Sequence, residues 1–188
     1  MNRTIGLVGL LATALWAAGI GVEYVNPGEK SSAHWLGELL IWLGFVGFAV
    51  LIVGMLRSGA AGRGAFAKVA LGVWAFGHLS IAIGGVVEYL TGDADNLFYP
   101  VGGLAQIVGG IASAVVVARA GVLTGWRRWT PLAWLVTYLG VFATFFGQTA
   151  EMTALTLAPF VLWLAAIAVT SVGFATADPA RIREAATA

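Results

Sequence analysis

Residues 35–56 read WLGELLIWLGFVGFAVLIVGML, 22 positions with a single charge, Glu38. At a rise of 1.5 Å per residue, a helix of that length runs about 33 Å, enough to cross a hydrocarbon core of about 30 Å. Five more runs of similar length lie between the charge clusters, at approximately Ile5–Val25, Val69–Leu90, Tyr99–Ala118, Trp129–Ala150 and Ala154–Ala175. The pattern predicts an all-α integral membrane protein with six transmembrane helices in one domain, 1–188, that closes with a short polar tail, 178–188.

Composition agrees. The chain is 60% hydrophobic and 10% charged, with a mean hydropathy of +0.90, against roughly 45–50% apolar and 25% charged in an average soluble domain. The excess excludes an ordinary water-soluble domain, and it excludes disorder, which needs low hydrophobicity and high charge. With no cysteine, disulfide scaffolding is excluded as well. The first run follows Arg3 and contains Ala17, Ala18 and Gly19, but it exceeds the roughly 7–15 apolar residues of a signal peptide and reads as a true span.

Basic residues set the expected orientation. Arg3, Arg57, Arg63, Lys68, Arg119, Arg127, Arg128, Arg181 and Arg183 fall on one side of the six runs, and only Lys30 on the other. The positive-inside rule then puts both termini in the cytoplasm, in a plasma (inner) membrane. Acids lean the opposite way: Glu23, Glu29, Glu38, Glu88, Asp93, Asp95 and Glu151 lie at or near the expected outer face, and only Asp178 and Glu184 in the tail. Tyr24, Trp35, Tyr89, Phe98 and Tyr99 at outer boundaries, with Trp126 and Trp129 at an inner one, read as interface anchors.

The acids also carry a repeat. A shift of 65 positions pairs Gly19 with Gly84, Glu23 with Glu88, Tyr24 with Tyr89, Gly37 with Gly102 and Gly44 with Gly109; a shift of 63 pairs Gly84 with Gly147 and Glu88 with Glu151. Identities alone are weak in so biased a composition, but acids are scarce, and Gly-x-x-x-Glu occurs three times. The spacing predicts three parallel two-helix units, 1–65, 66–130 and 131–177, related by an axis along the membrane normal. Gly37, Gly44, Gly47 and Gly54 share one face of the second helix, and Gly102, Gly109 and Ser113 one face of the fourth. Small stripes let helix backbones approach closely in lipid. Beyond the bilayer, the expected partners are a second copy or another membrane protein docked on such faces, and nothing suggests nucleic acid.

No phosphate loop, zinc helix or nucleophile elbow occurs. Without cysteine there is no thiol catalysis or thiolate ligation, and two histidines at different depths do not make a bis-histidine haem site. The chain therefore reads as a non-enzyme with no catalytic residue and no cofactor. What remains is a set of carboxylates at one depth: Glu23, Glu88 and Glu151, each near the end of an outward-going helix, and Glu38, about a turn deeper and four residues from His34 on the same helical face. If the odd-numbered helices converge, these groups gather at one mouth, where they must keep protons or bind a cation. Taken singly, a glutamate in the last turn can simply reach headgroup water. His78 and Gln106 lie deeper, with Thr137, Thr144 and Thr170 near in sequence; His78 can relay protons or serve as an interhelical hydrogen-bond partner, and Gln106 reads as a structural group of the latter kind.

Three functions follow as expectations. The first is a small transporter or channel for a proton, cation or small solute, with Glu23, Glu38, Glu88, Glu151 and His34 at its mouth and His78 and Gln106 as its buried continuation. The second is a non-transporting subunit or scaffold for another membrane protein, and the third a membrane redox or metal-site protein that uses His34 and the neighbouring glutamates.

Overall fold

The computed structural model describes residues 2–25, 31–147, 154–178 and 180. Lys30, Glu151, Arg181 and Arg183, and the side chain of Thr144, lie outside that description. Six α-helices follow one another: α1 (Asn2–Val25), α2 (Ser32–Ser58), α3 (Ala65–Thr91), α4 (Phe98–Ala120), α5 (Thr130–Gly147) and α6 (Ala154–Ala175). A 3-10 turn, Gly125–Trp129, precedes α5, and no strand occurs among the described residues. By length and composition α1 to α4 and α6 can each cross a bilayer; α5 spans 18 described residues.

Most helices outrun the apolar stretches that signal them. Hydropathy marks what sits in hydrocarbon, whereas a helix continues until its backbone groups find other partners. Ser31 stops α2 at its start, its side chain accepting from the His34 amide at 3.0 Å. At the other end Gly59 turns left-handed, φ 78°, and Gly92 does the same for α3, φ 74°, a backbone state that costs a glycine nothing.

The helices pack as a ring in chain order: α1 on α2, α2 on α3, α3 on α4, α4 on α5, α5 on α6, and α6 back on α1. The widest interfaces are α1 with α2 and α3 with α4. Glycines make both possible. A Cβ on Gly19 would press the Gly37 carbonyl and Ile41; one on Gly44 would meet Trp16 and the Ala12 carbonyl. In the second pair, Gly77 faces the Gln106 backbone, Gly102 faces Ile81, and Gly109 lies against the backbone of Trp74. The glycine face of α2 is thus taken up by α1, and that of α4 by α3.

Aromatic rings fill the ring's centre. Trp16 of α1 lies against Trp163 of α6 at 5.1 Å, Phe48 of α2 against Trp134 of α5 at 5.9 Å, and Trp74 of α3 against Trp134 at 4.5 Å. The opposite faces carry Leu36, Leu39, Leu43, Val46 and Val50 on α2 and Leu104, Val108 and Ile111 on α4, all exposed. A helix apolar all round, with large aliphatic groups outward and small residues inward, suits lipid rather than water.

Gly109→Val should lower the unfolding free energy in detergent by about 1–3 kcal/mol or more, since neither neighbouring backbone can yield to the added methyl groups. Gly72→Ala, with open space around its Cβ, should be neutral or slightly stabilising. Equal stability of the two variants in a denaturant titration would contradict the close-approach account.

Candidate functional site

At the end of the bundle where α1 finishes and α2 begins, four helices bring polar side chains together. Glu23 sits in the last turn of α1 and His34 in the first turn of α2, and His34 Nδ1 stands 2.8 Å from Glu23 Oε2. Both side chains are largely buried, 24% exposed for His34 and 18% for Glu23. One turn further into α2, Glu38 accepts from Trp42 Nε1 at 2.9 Å. The ligand-bearing atoms of Glu23, His34 and Glu38 all lie within 4.8 Å of one another.

Local packing explains the placement. Gly19, one turn before Glu23, lets α1 touch the α2 backbone, and Gly37 leaves room where a side chain would strike the Glu23 carboxylate. Gly85 does the same for Trp42, whose indole nitrogen occupies the space a Cβ there would claim. Glu23 Oε1 is buried with no hydrogen-bond partner among the described residues, an expensive state for a carboxylate oxygen.

A second pair stands beside the first. Tyr99 of α4 donates to Glu88 Oε2 of α3 at 2.7 Å, and Glu88 is near enough to Glu38 to act on it electrostatically. Aromatic contacts join the two pairs, with Tyr89 against Trp35 at 4.6 Å and against Trp42 at 6.3 Å. Asn96 fixes the α3–α4 connection: its amide donates to the Gly84 and Asp93 carbonyls, 3.1 and 2.9 Å, and its oxygen accepts from the Phe98 amide, 3.2 Å. Ser80 adds a bond to the Phe98 carbonyl, 2.8 Å.

Of the expected site residues, Glu23, His34, Glu38 and Glu88 come together, and Glu151 lies outside the described residues. Their meeting does not come from convergence of the odd-numbered helices. Each helix touches its chain neighbours, so the cluster forms along the row α1–α2–α3–α4. His78 and Gln106 are fully buried elsewhere, near mid-bundle. His78 Nδ1 lies 2.9 Å from the Trp74 carbonyl and so carries the proton, while its Nε2 and both amide atoms of Gln106 have no partner among the described residues. Phe45, Phe48, Trp74 and Trp134 surround the imidazole with centroids 5.4–6.1 Å away. Thr137 and Thr170 bond carbonyls of their own helices.

Trp42, Tyr99 and Asn96 were not among the expected site residues. The signal for Tyr99 was present: 65 positions after His34, it holds Glu88 as His34 holds Glu23, each pair eleven residues apart.

Tyr99→Phe removes a hydrogen bond to a carboxylate and should cost about 1.5–3 kcal/mol of unfolding free energy, whereas Tyr89→Phe, which keeps its ring contacts, should cost little. Chemical denaturation of both variants checks this. No protein family, curated protein or solved structure matches the chain.

Proposed function

We propose that this multi-pass membrane protein is a small transporter that takes up a cation at Glu23, His34 and Glu38, on the side the basic residues assign to the exterior. The observation that supports this most is the approach of three ligand atoms, from two helices, to within 4.8 Å of one another. Ionisable groups at membrane depth are costly, and they are retained chiefly where an ion or proton is handled. Glu88 adds negative charge beside the cluster. Deeper in α3 and α4, His78 and Gln106 offer buried polar atoms with no partner among the described residues.

The filled centre favours a second reading. Passage along the bundle axis needs Phe48, Trp74, Trp134 and Trp163 to part, and these rings are among the most deeply buried groups in the chain. In that reading the protein holds its cation at the membrane surface without moving it.

Reconstitution into liposomes separates the two. Proton, monovalent and divalent cation fluxes are measured with the wild-type chain, Glu38→Gln and Glu88→Gln. Transport predicts a flux above empty liposomes that falls at least about tenfold in Glu38→Gln, the loss expected when one charged ligand worth 1.4 kcal/mol or more is removed. Every flux unchanged by both substitutions would remove the transport reading, and cation binding without any flux would leave the second.

A further inference from the structure

We infer that Glu23, His34 and Glu38 form a site for one first-row transition-metal dication per chain, with zinc the best-suited ion, rather than for an alkali or alkaline-earth ion. The inference rests on the cation-binding reading of this cluster and narrows its ligand.

The donor set comes first. One imidazole nitrogen and two carboxylates make a mixed N/O site, and a chain without cysteine offers no thiolate to compete. Calcium needs about six to eight oxygens and magnesium a near-octahedral oxygen shell that keeps several waters. Zinc accepts three protein ligands of this kind and completes a tetrahedron with water or another small ligand. Imidazole nitrogen favours such borderline ions over hard ones.

Geometry comes next. Bonds of about 2.0–2.2 Å in a tetrahedron put ligand atoms about 3.3 Å apart. The three donors already lie within 4.8 Å, and one pair, His34 Nδ1 and Glu23 Oε2, stands at 2.8 Å. A dication would replace that hydrogen bond by a separation about half an ångström wider, within the reach of side-chain rotation alone. Glu23 Oε1, buried and without a hydrogen-bond partner among the described residues, is a further oxygen that points to a cation. The indole of Trp42 holds Glu38 by Oε2 and leaves the other oxygen free to ligate, the outer-shell support that metal-binding carboxylates usually have.

The neighbouring pair explains why one ion is expected, not two. Sixty-five positions on, Glu23, His34 and Glu38 become Glu88, Tyr99 and Gly103. The phenol already satisfies Glu88, and glycine supplies no third ligand. Glu88 therefore contributes charge to the ion's surroundings and no bond.

The full-length chain is purified in mild detergent, stripped with a chelator, and titrated calorimetrically with zinc chloride, with magnesium and calcium chloride run in parallel. One zinc per chain is expected, undisturbed by millimolar magnesium or calcium. Binding should weaken at least about 100-fold in His34→Ala and Glu38→Gln, and about 10-fold in Trp42→Phe, which removes only the outer-shell bond. Cobalt(II) substitution of the wild-type chain gives a readout that needs no variant: intense visible d–d bands mark a four-coordinate site with nitrogen ligation. No zinc uptake, uptake unaffected by His34→Ala, or cobalt spectra of the hydrated ion would each overturn the inference. A Glu38-dependent flux of protons or sodium without zinc binding would overturn it while leaving transport in place. Zinc bound with no flux of any ion would do the reverse.

Discussion

In lipid, burying apolar surface gives helices no reason to associate, so pairing rests on how closely two backbones can come. In this chain the contact of α1 with α2 at Gly19 and Gly37, and its counterpart between α3 and α4 at Gly77, Gly102 and Gly109, governs what happens at the acidic end. Glu23 follows Gly19 by one turn and Glu88 follows Gly84, which lies against Asn96, Phe98 and Tyr99, so each carboxylate reaches its partner where the returning helix already comes close. The Gly-x-x-x-Glu pattern thus has a mechanical reading at the two places where it is described. The glycine brings the helices together and the glutamate uses the shortened distance.

The bundle's two ends and its middle obey different chemistry. At the acidic end, partly exposed carboxylates meet donors from neighbouring helices. At mid-bundle, His78 and Gln106 sit among rings and aliphatic groups with polar atoms left over. At the basic end, Trp126 and Trp129 lie under the guanidinium groups of Arg127 and Arg128, 5.5 and 4.9 Å from ring centroid to carbon, and Arg127 reaches Thr176 at 3.3 Å. Rings and charges of that kind sit well at a headgroup layer.

The helices were legible in the sequence because a slab of hydrocarbon imposes a length, and Trp35–Leu56 falls wholly inside α2. Their ends were less so: Lys68 cuts Ala65–Ala67 off from the apolar run that starts at Val69, yet all four residues are helical, since an interface tolerates a charge within a helix. Glu23, His34, Glu38 and Glu88 stood out because so few ionisable groups occur at that depth. Which helices would meet was not legible. With apolar residues on every face, periodicity does not single out a contact face, and only the small-residue stripes do. The ring order therefore differs from the expected convergence of α1, α3 and α5. Tyr99 escaped notice because an aromatic residue at a membrane boundary already has a sufficient explanation, and its bond to Glu88 shows only in three dimensions.

The ring also bears on how the chain is assembled. Every substantial interface but one joins helices adjacent in sequence, so each newly inserted span can dock on its predecessor at little cost in loop entropy. The exception is α6 on α1, where Gly6 and Gly9 lie against Ala175 and Ser171 and Trp16 meets Phe160 and Trp163. Until synthesis reaches α6, α1 has one flank and its tryptophan open to the bilayer. Helix α6 therefore acts as the clasp, and a chain stalled before it would be a row of five helices with two unpaired edges, available to the quality-control machinery of the membrane or to another copy of itself.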